Sequence, residues 1–157
     1  MKIIIGGAGA VGTHLAELLS NEKQDIILMD EDKDKLSAMD SNFDLMTVCA
    51  SPTSIMALKN AGVSDADLFI AVTPEESRNM TACMIATSLG AKKTVARIDN
   101  YEYLLPKHKE FFSKLGVHSL IYPEMLAAKD IVDAIKMSWI HQWWEFNGGA
   151  LVLIGAK

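Results

Sequence analysis

With only two cysteines in 157 residues, the chain has no disulfide framework. Cys49 and Cys83 stand alone in apolar segments without a C-x-x-C spacing, so nothing argues for a structural metal, and both read as small buried hydrophobes. No apolar run approaches the ~18 residues of a membrane span. The chain opens directly on a strand pattern that leaves no room for a signal peptide, so the expected location is cytoplasmic, with no direct membrane insertion. Basic residues are outnumbered 15 to 20, giving a net charge of −5, and the general basic footprint of nucleic-acid binding is missing. No repeat of 20–50 residues is present. Aromatics make up only 7% of the chain, yet three tryptophans fall between Trp139 and Trp144.

What is present is an ordinary globular composition, half hydrophobic and 22% charged, long enough for one domain with a sizeable core. It is organised around Lys2 to Gly12. The β-branched run Ile3-Ile4-Ile5 stops at Gly6, and Gly7-Ala8-Gly9-Ala10-Val11-Gly12 spells G-x-G-x-x-G ahead of a helical pattern. In a strand–loop–helix unit, Gly7 allows the tight turn, Gly9 lets backbone approach a pyrophosphate, and Gly12 brings the helix close to the strand. The helix's first N–H groups and its dipole then favour an anion. A second apolar run, Ile26 to Met29, ends in Asp30, placed to accept hydrogen bonds from ribose hydroxyls. A strand-end or helix-capping role for Asp30 is the alternative. Glu31 and Asp32 follow, so a 2′-phosphate meets repulsion and NADP is disfavoured.

Along the chain, helical periodicity from Ala10 to about Ser20 puts Val11, Leu15, Leu18 and Leu19 on one side. A short charged helix runs from Lys33 to Met39, and Asp44 to Cys49 is a third strand. Ala50-Ser51-Pro52-Thr53 leads into a helix that Pro52 starts and Gly62 closes, with Ile55, Met56, Leu58 and Ala61 on its apolar face. Leu68 to Thr73 is an uninterrupted apolar run of the parallel-strand kind. Pro74 sits near the first position of a helix reaching about Leu89, with Met80, Cys83, Met84, Ala86 and Thr87 packing inward. Thr94 to Ile98 is a fifth strand, with Arg97 near its carboxyl end facing either a phosphate or the acids Asp99 and Glu102. A looser helical segment from Tyr101 to Leu115 precedes a sixth strand, Val117 to Tyr122, and Pro123 begins a final helix to about Ser138. The pattern predicts an α/β fold: a doubly wound, Rossmann-like sheet of about six parallel strands with helices on both faces. Residues 1–138 are then a nucleotide-binding domain. Residues 139–157 hold a Trp-rich interface or linker segment, read as a dimer contact with a self-contained C-terminal cap as the alternative, and a further strand from Ala150 to Ile154 that begins another module.

The glycine loop with Asp30 is joined by Asp65 to Thr73, by Glu75-Glu76-x-x-Asn79-Met80, by Ala96-Arg97-Ile98 and by Tyr122-Pro123-Glu124. Together these resemble the nucleotide-binding domain of TrkA-type potassium-uptake regulators, the KTN or RCK family, over about residues 1–147. The resemblance implies a peripheral regulatory subunit, not an enzyme. It would bind NAD or NADH, or an adenine nucleotide such as ADP, ATP or AMP, form homodimers that build rings, and pass nucleotide state to a membrane-embedded potassium transporter at the inner face of the cell membrane. By position, Gly7, Gly9 and Gly12 would form the phosphate loop and Asp30 would hold ribose. Thr73 and Asn79 would lie at the mouth of the second half, and Arg97 would approach phosphate. The chain departs from the family pattern in the loop after the third strand, which usually reads Gly-Asp-Ala-Thr with its acid near adenine; here Ser51 and backbone groups would have to substitute. Asp99 and Ala10 stand where some members carry arginines, which weighs against strong ATP-specific binding.

Two other classes fit parts of the sequence. A dehydrogenase cofactor domain shares the fold, but needs a proton-handling group. Tyr103-x-x-x-Lys107 has the spacing, yet Pro106 interrupts the helix that would align the pair. His14, His108, His118 and His141 lack partners at a convincing spacing. An oligomerisation module that has lost nucleotide binding is the third class, kept open by the altered Ala50 to Thr53 loop.

Overall fold

A computed structural model of the protein describes residues 1–22, 24–136, 142–146 and 151–155. The chain forms two compact units, Met1–Tyr122 and Pro123–Lys157.

In the first unit, six strands alternate with helices: β1 (Lys2–Gly6), α1 (Ala10–Ser20), β2 (Asp25–Asp30), α2 (Lys33–Asn42), β3 (Met46–Cys49), α3 (Ile55–Asn60), β4 (Leu68–Ala71), α4 (Glu76–Ser88), β5 (Thr94–Arg97), α5 (Pro106–Lys114) and β6 (Ser119–Ile121). All neighbours pair in parallel, in the order β3-β2-β1-β4-β5-β6. The chain winds outward one way from β1 through β3, then returns to start β4 on the other side of β1. The strand ends beside that reversal are where open α/β sheets take ligands. This is the doubly wound sheet that the sequence predicts.

Alternation along the central strands explains the layers. Ile4, Ile27 and Phe69 face one side and pack with Leu58 of α3 and Met80, Cys83 and Ala86 of α4. Ile3, Ile5, Ile26, Leu28 and Ile70 face the other, with Ala16 of α1 and Leu36 and Met39 of α2. Both faces are covered, which is why these strands read as continuous apolar runs.

Several details differ from the sequence reading. Helix α1 packs through Gly12 and Ala16, with Leu15 and Leu19 half-buried, while Val11 and Leu18 are exposed; small residues bring the helix closer than a leucine face allows. Helix α3 begins at Ile55 rather than Pro52, because the Ser54 side chain caps it by accepting from Ala57 N. Ile55 and Met56 are exposed and Leu58 alone is fully buried. Helix α4 begins at Glu76, with Pro74 left in the preceding loop. Cys49 is exposed, not buried, because β3 is the edge strand of the sheet. The segment from Tyr101 divides into a 3-10 turn over Tyr101–Leu104 and α5, with Pro106 at its start, so Tyr103 and Lys107 do not share one helix.

The second unit contains α6 (Pro123–Lys136) and an antiparallel pair, β7 (Gln142–Phe146) and β8 (Leu151–Gly155), in which Trp144 is opposite Leu153. The strand read from Ala150 is therefore β8, and much of the tryptophan segment is its partner. Trp139 and His141, and the side chains on which the dimer-contact reading rests, lie outside the described residues. No helix among the described residues is long and apolar enough to cross a membrane.

Candidate functional site

The glycine loop turns at the carboxyl end of β1. Gly7 has φ +113, a conformation open to glycine, and a methyl there would meet Thr73 N at 2.9 Å. A methyl on Gly12 would run into the Gly7 carbonyl oxygen, so the α1–β1 approach requires glycine at both positions. Gly9 is different. Its backbone is ordinary extended chain (φ −77, ψ −175), and an added methyl would find nothing within 4 Å. No internal packing demands glycine here. The space above it is open, and it caps α1 without a side-chain hydrogen bond. The N–H groups of Ala10, Val11 and Gly12, in the first turn, have no intrahelical acceptor, since the first such bond is Thr13 N to the Gly9 carbonyl, and free N–H groups of this kind suit an anion.

Asp30 ties this loop to β2. One carboxylate oxygen accepts from Ala8 N at 2.6 Å and the other from Asp32 N at 2.9 Å. Each oxygen keeps a second lone pair for a hydroxyl. Asp30 also lines a cleft of about 230 Å³ with Glu31, Asp32, Lys35, Pro52, Thr73, Pro74 and Arg78. A larger hollow, about 380 Å³, lies at the amino ends of β2 and β3 beside Asp25 and Met46, the rim opposite the one that open parallel sheets use.

Arg78, which the sequence reading did not single out, joins the walls of this cleft. Its Nη2 lies 2.6 Å from Glu31 Oε2 and donates to Ser51 Oγ at 2.9 Å, and Ser51 Oγ lies 2.9 Å from Thr53 Oγ1. The guanidinium beside Glu31 holds that carboxyl below its ordinary range, and Glu31 in turn raises Arg78. Glu31 is therefore not the unopposed charge that the repulsion argument against a 2′-phosphate assumed. No spacing rule links positions 31, 51 and 78; the only local sign was one cation in an acidic first turn.

Asn79 lies beneath the cleft rather than at its mouth. It is fully buried, its Oδ1 accepting from Thr73 N (2.8 Å) and Thr73 Oγ1 (2.7 Å), its Nδ2 donating to the Thr73 carbonyl (2.9 Å) and the Arg97 carbonyl (3.0 Å). Four bonds exhaust a carboxamide, so none is left for a ligand. They fix the end of β4 and explain why α4 starts only after Pro74. Glu76 adds a second clamp, its Oε2 accepting from the N–H groups of Asp99 and Asn100 at 2.7 Å each. Arg97 is not among the residues lining the cleft; its Nη2 lies 3.4 Å from Asp99 Oδ1, the ion pair weighed as the alternative to phosphate contact. His118 serves the sheet, its Nδ1 accepting from Thr94 N at 3.2 Å. His108 Nδ1 donates to the Glu102 carbonyl at 2.7 Å, and His14 is exposed beside Glu17.

A glycine cradle at the first crossover, an acid ending the neighbouring strand and the β3-β2-β1-β4-β5-β6 order define a nucleotide-binding fold of the Rossmann type. Within it, the TrkA-N domain matches residues 3–123, and the chain belongs to that family. The whole chain is 44% identical over 159 residues to the Trk system potassium uptake protein TrkA of Haemophilus influenzae, and 38% identical over 158 residues to that of Halomonas elongata. In each case it spans 35% of the relative's length. Among solved structures, the TrkA-N domain of the Escherichia coli inner membrane protein ybaL aligns with a TM-score of 0.72 at 14% identity, covering 85% of this chain and 95% of that one. The GsuK channel bound to NAD aligns with a TM-score of 0.61 at 20% identity, over 76% and 21%. The Shewanella denitrificans Kef C-terminal domain, in AMP-bound form, gives 0.65 at 19%, over 88% and 82%. These likenesses are of fold.

Proposed function

We propose that this chain is the nucleotide-sensing part of a regulatory subunit of a potassium-uptake system. In this reading the loop Gly7, Ala8, Gly9, Ala10, Val11 and Gly12 surrounds the phosphates, with Gly7 N and Ala8 N bonded to the Met29 carbonyl and to Asp30 and the N–H groups from Ala10 to Gly12 left for the phosphates, and Asp30 holds the ribose. Glu31 and Thr73 flank the cleft, Ser51 acts through its bond to Arg78, and Arg97, outside the cleft lining, holds Asn79 through its carbonyl. The ligand is NAD or NADH, with AMP, ADP and ATP as lesser candidates, because neither Ala10 nor Asp99 offers a cation for terminal phosphates. The protein works at the inner face of the cell membrane as a homodimer or ring that transmits occupancy to a membrane-embedded potassium transporter, through the helix that follows Thr73.

The observation that carries this reading is the open space above Gly9, beside uncapped N–H groups and within reach of Asp30. A glycine that packing does not require is accounted for by a phosphate that approaches backbone closely. In support, solved neighbours of the same fold were captured with NAD and with AMP. Thermal unfolding with NAD, NADH, AMP, ADP and ATP tests it. A bound nucleotide stabilises by RT ln(1 + [L]/Kd), about 2.7 kcal/mol at a hundredfold excess over Kd. No shift with any of the five would leave the oligomerisation-module reading instead.

A further inference from the structure

Building on the nucleotide reading above, we infer that Arg78 is the base-contacting residue of the cleft, presenting the flat face of its guanidinium for a nucleobase to stack on. The strand order sets the direction. A phosphate over the end of β1 and a ribose at Asp30 on β2 send the attached base onward, toward the end of β3. The residues lining the cleft beyond Asp30 in that direction are Glu31 and Pro52, and Arg78 reaches across to them from α4.

Arg78 is built to be held flat. Its Nη2 is engaged at 2.6 Å by Glu31 and at 2.9 Å by Ser51, and its side chain is 26% exposed. Acceptors of guanidinium N–H groups lie near its plane, so a guanidinium anchored by its edge keeps its faces for a planar ring. Such stacking is how unpaired bases are received on arginine, and it tolerates any base because every base has a π-face. The chain lacks an acid in the loop after β3 that could accept from the adenine amino group; Ser51 there is used to orient Arg78. Recognition at this end of the cleft is therefore of an aromatic base as such, with little discrimination among purines.

The test compares AMP, GMP and IMP with ribose 5-phosphate, which carries the phosphate and sugar but no base, by calorimetric titration of the whole chain. Arg78→Lys keeps a cation for Glu31 and Ser51 but removes the plane. In the wild type, AMP, GMP and IMP should bind within about threefold of one another, each more tightly than ribose 5-phosphate. In Arg78→Lys the three nucleotides should weaken together by about tenfold, a stacking-sized loss, while ribose 5-phosphate is unchanged. Arg78→Gln, with neither cation nor guanidinium, should weaken the nucleotides at least as much, and it carries the test if the lysine variant does not fold. Unchanged AMP affinity in both variants overturns the inference and leaves the nucleotide reading standing. Tighter AMP binding overturns it too, since the guanidinium would then be blocking the base. Failure of the wild type to bind any nucleotide overturns both.

Discussion

Every polar atom of the Asn79 carboxamide is engaged by groups at the carboxyl ends of β4 and β5. Asn79→Ala leaves Thr73 N and the Arg97 carbonyl without these partners in a buried place. The expected loss is about 3 kcal/mol, read as a lower urea midpoint, since each abandoned buried group costs about 1–3 kcal/mol. Lost nucleotide affinity at unchanged stability would show instead that Asn79 touches the ligand. The two cysteines separate in the same way. Cys49 is exposed on the edge strand, whereas burial pushes the Cys83 thiol up to about 12. An aromatic disulfide reagent at neutral pH should therefore titrate one thiol in the native protein and two in denaturant. Two fast thiols in the native state would contradict the packing of α4 against β5.

At the scale of elements, the turn from β1 into α1 divides its glycines by purpose. Gly12→Ala drives a methyl into the Gly7 carbonyl oxygen, and should destabilise by about 3 kcal/mol or abolish folding. Gly9→Ala meets only open space in an ordinary backbone conformation, so stability should stay within about 0.5 kcal/mol while phosphate-bearing ligands lose affinity. Equal affinity in Gly9→Ala and wild type would remove the chief support for a phosphate at this loop. The link from the end of β2 to α4 carries a pH signature. Glu31 is held below its ordinary value by Arg78, so the stability from this pair is complete above the usual carboxylate range. It is lost as pH falls through the lowered folded value. Glu31→Gln should unfold at a lower temperature than wild type at neutral pH, and the difference should close as the pH falls below the usual carboxylate range and through the lowered folded value. A gap unchanged across that range would mean that the charge on Glu31 does not matter.

For the whole molecule, the six-stranded sheet supplies a scaffold whose ligand rim is set by one reversal of winding between β1 and β4. Exposed apolar residues on α6, among them Leu126, Ile131 and Ile135, fit the proposal that the chain does not work alone. Sedimentation equilibrium should find a dimer or larger species at micromolar concentration; a monomer throughout would sever the link from nucleotide occupancy to assembly.

Local rules made most of this protein legible. Continuous β-branched runs can be satisfied only in a sheet covered on both faces, and glycines at fixed offsets before a helix, followed by an acid one strand later, define the loop without reference to distant residues. The start of α1 at Ala10 followed from those rules alone, as did the six strands. What tertiary structure decided was everything that depends on residues far apart in the chain. It drew Arg78 to Glu31 and Ser51, saturated Asn79 beneath the cleft, delayed α4 past Pro74, and left Cys49 on an open edge. Periodicity sees which face of an element is apolar; only the assembled sheet determines which edge is solvent and which side chains from distant segments share one hydrogen bond.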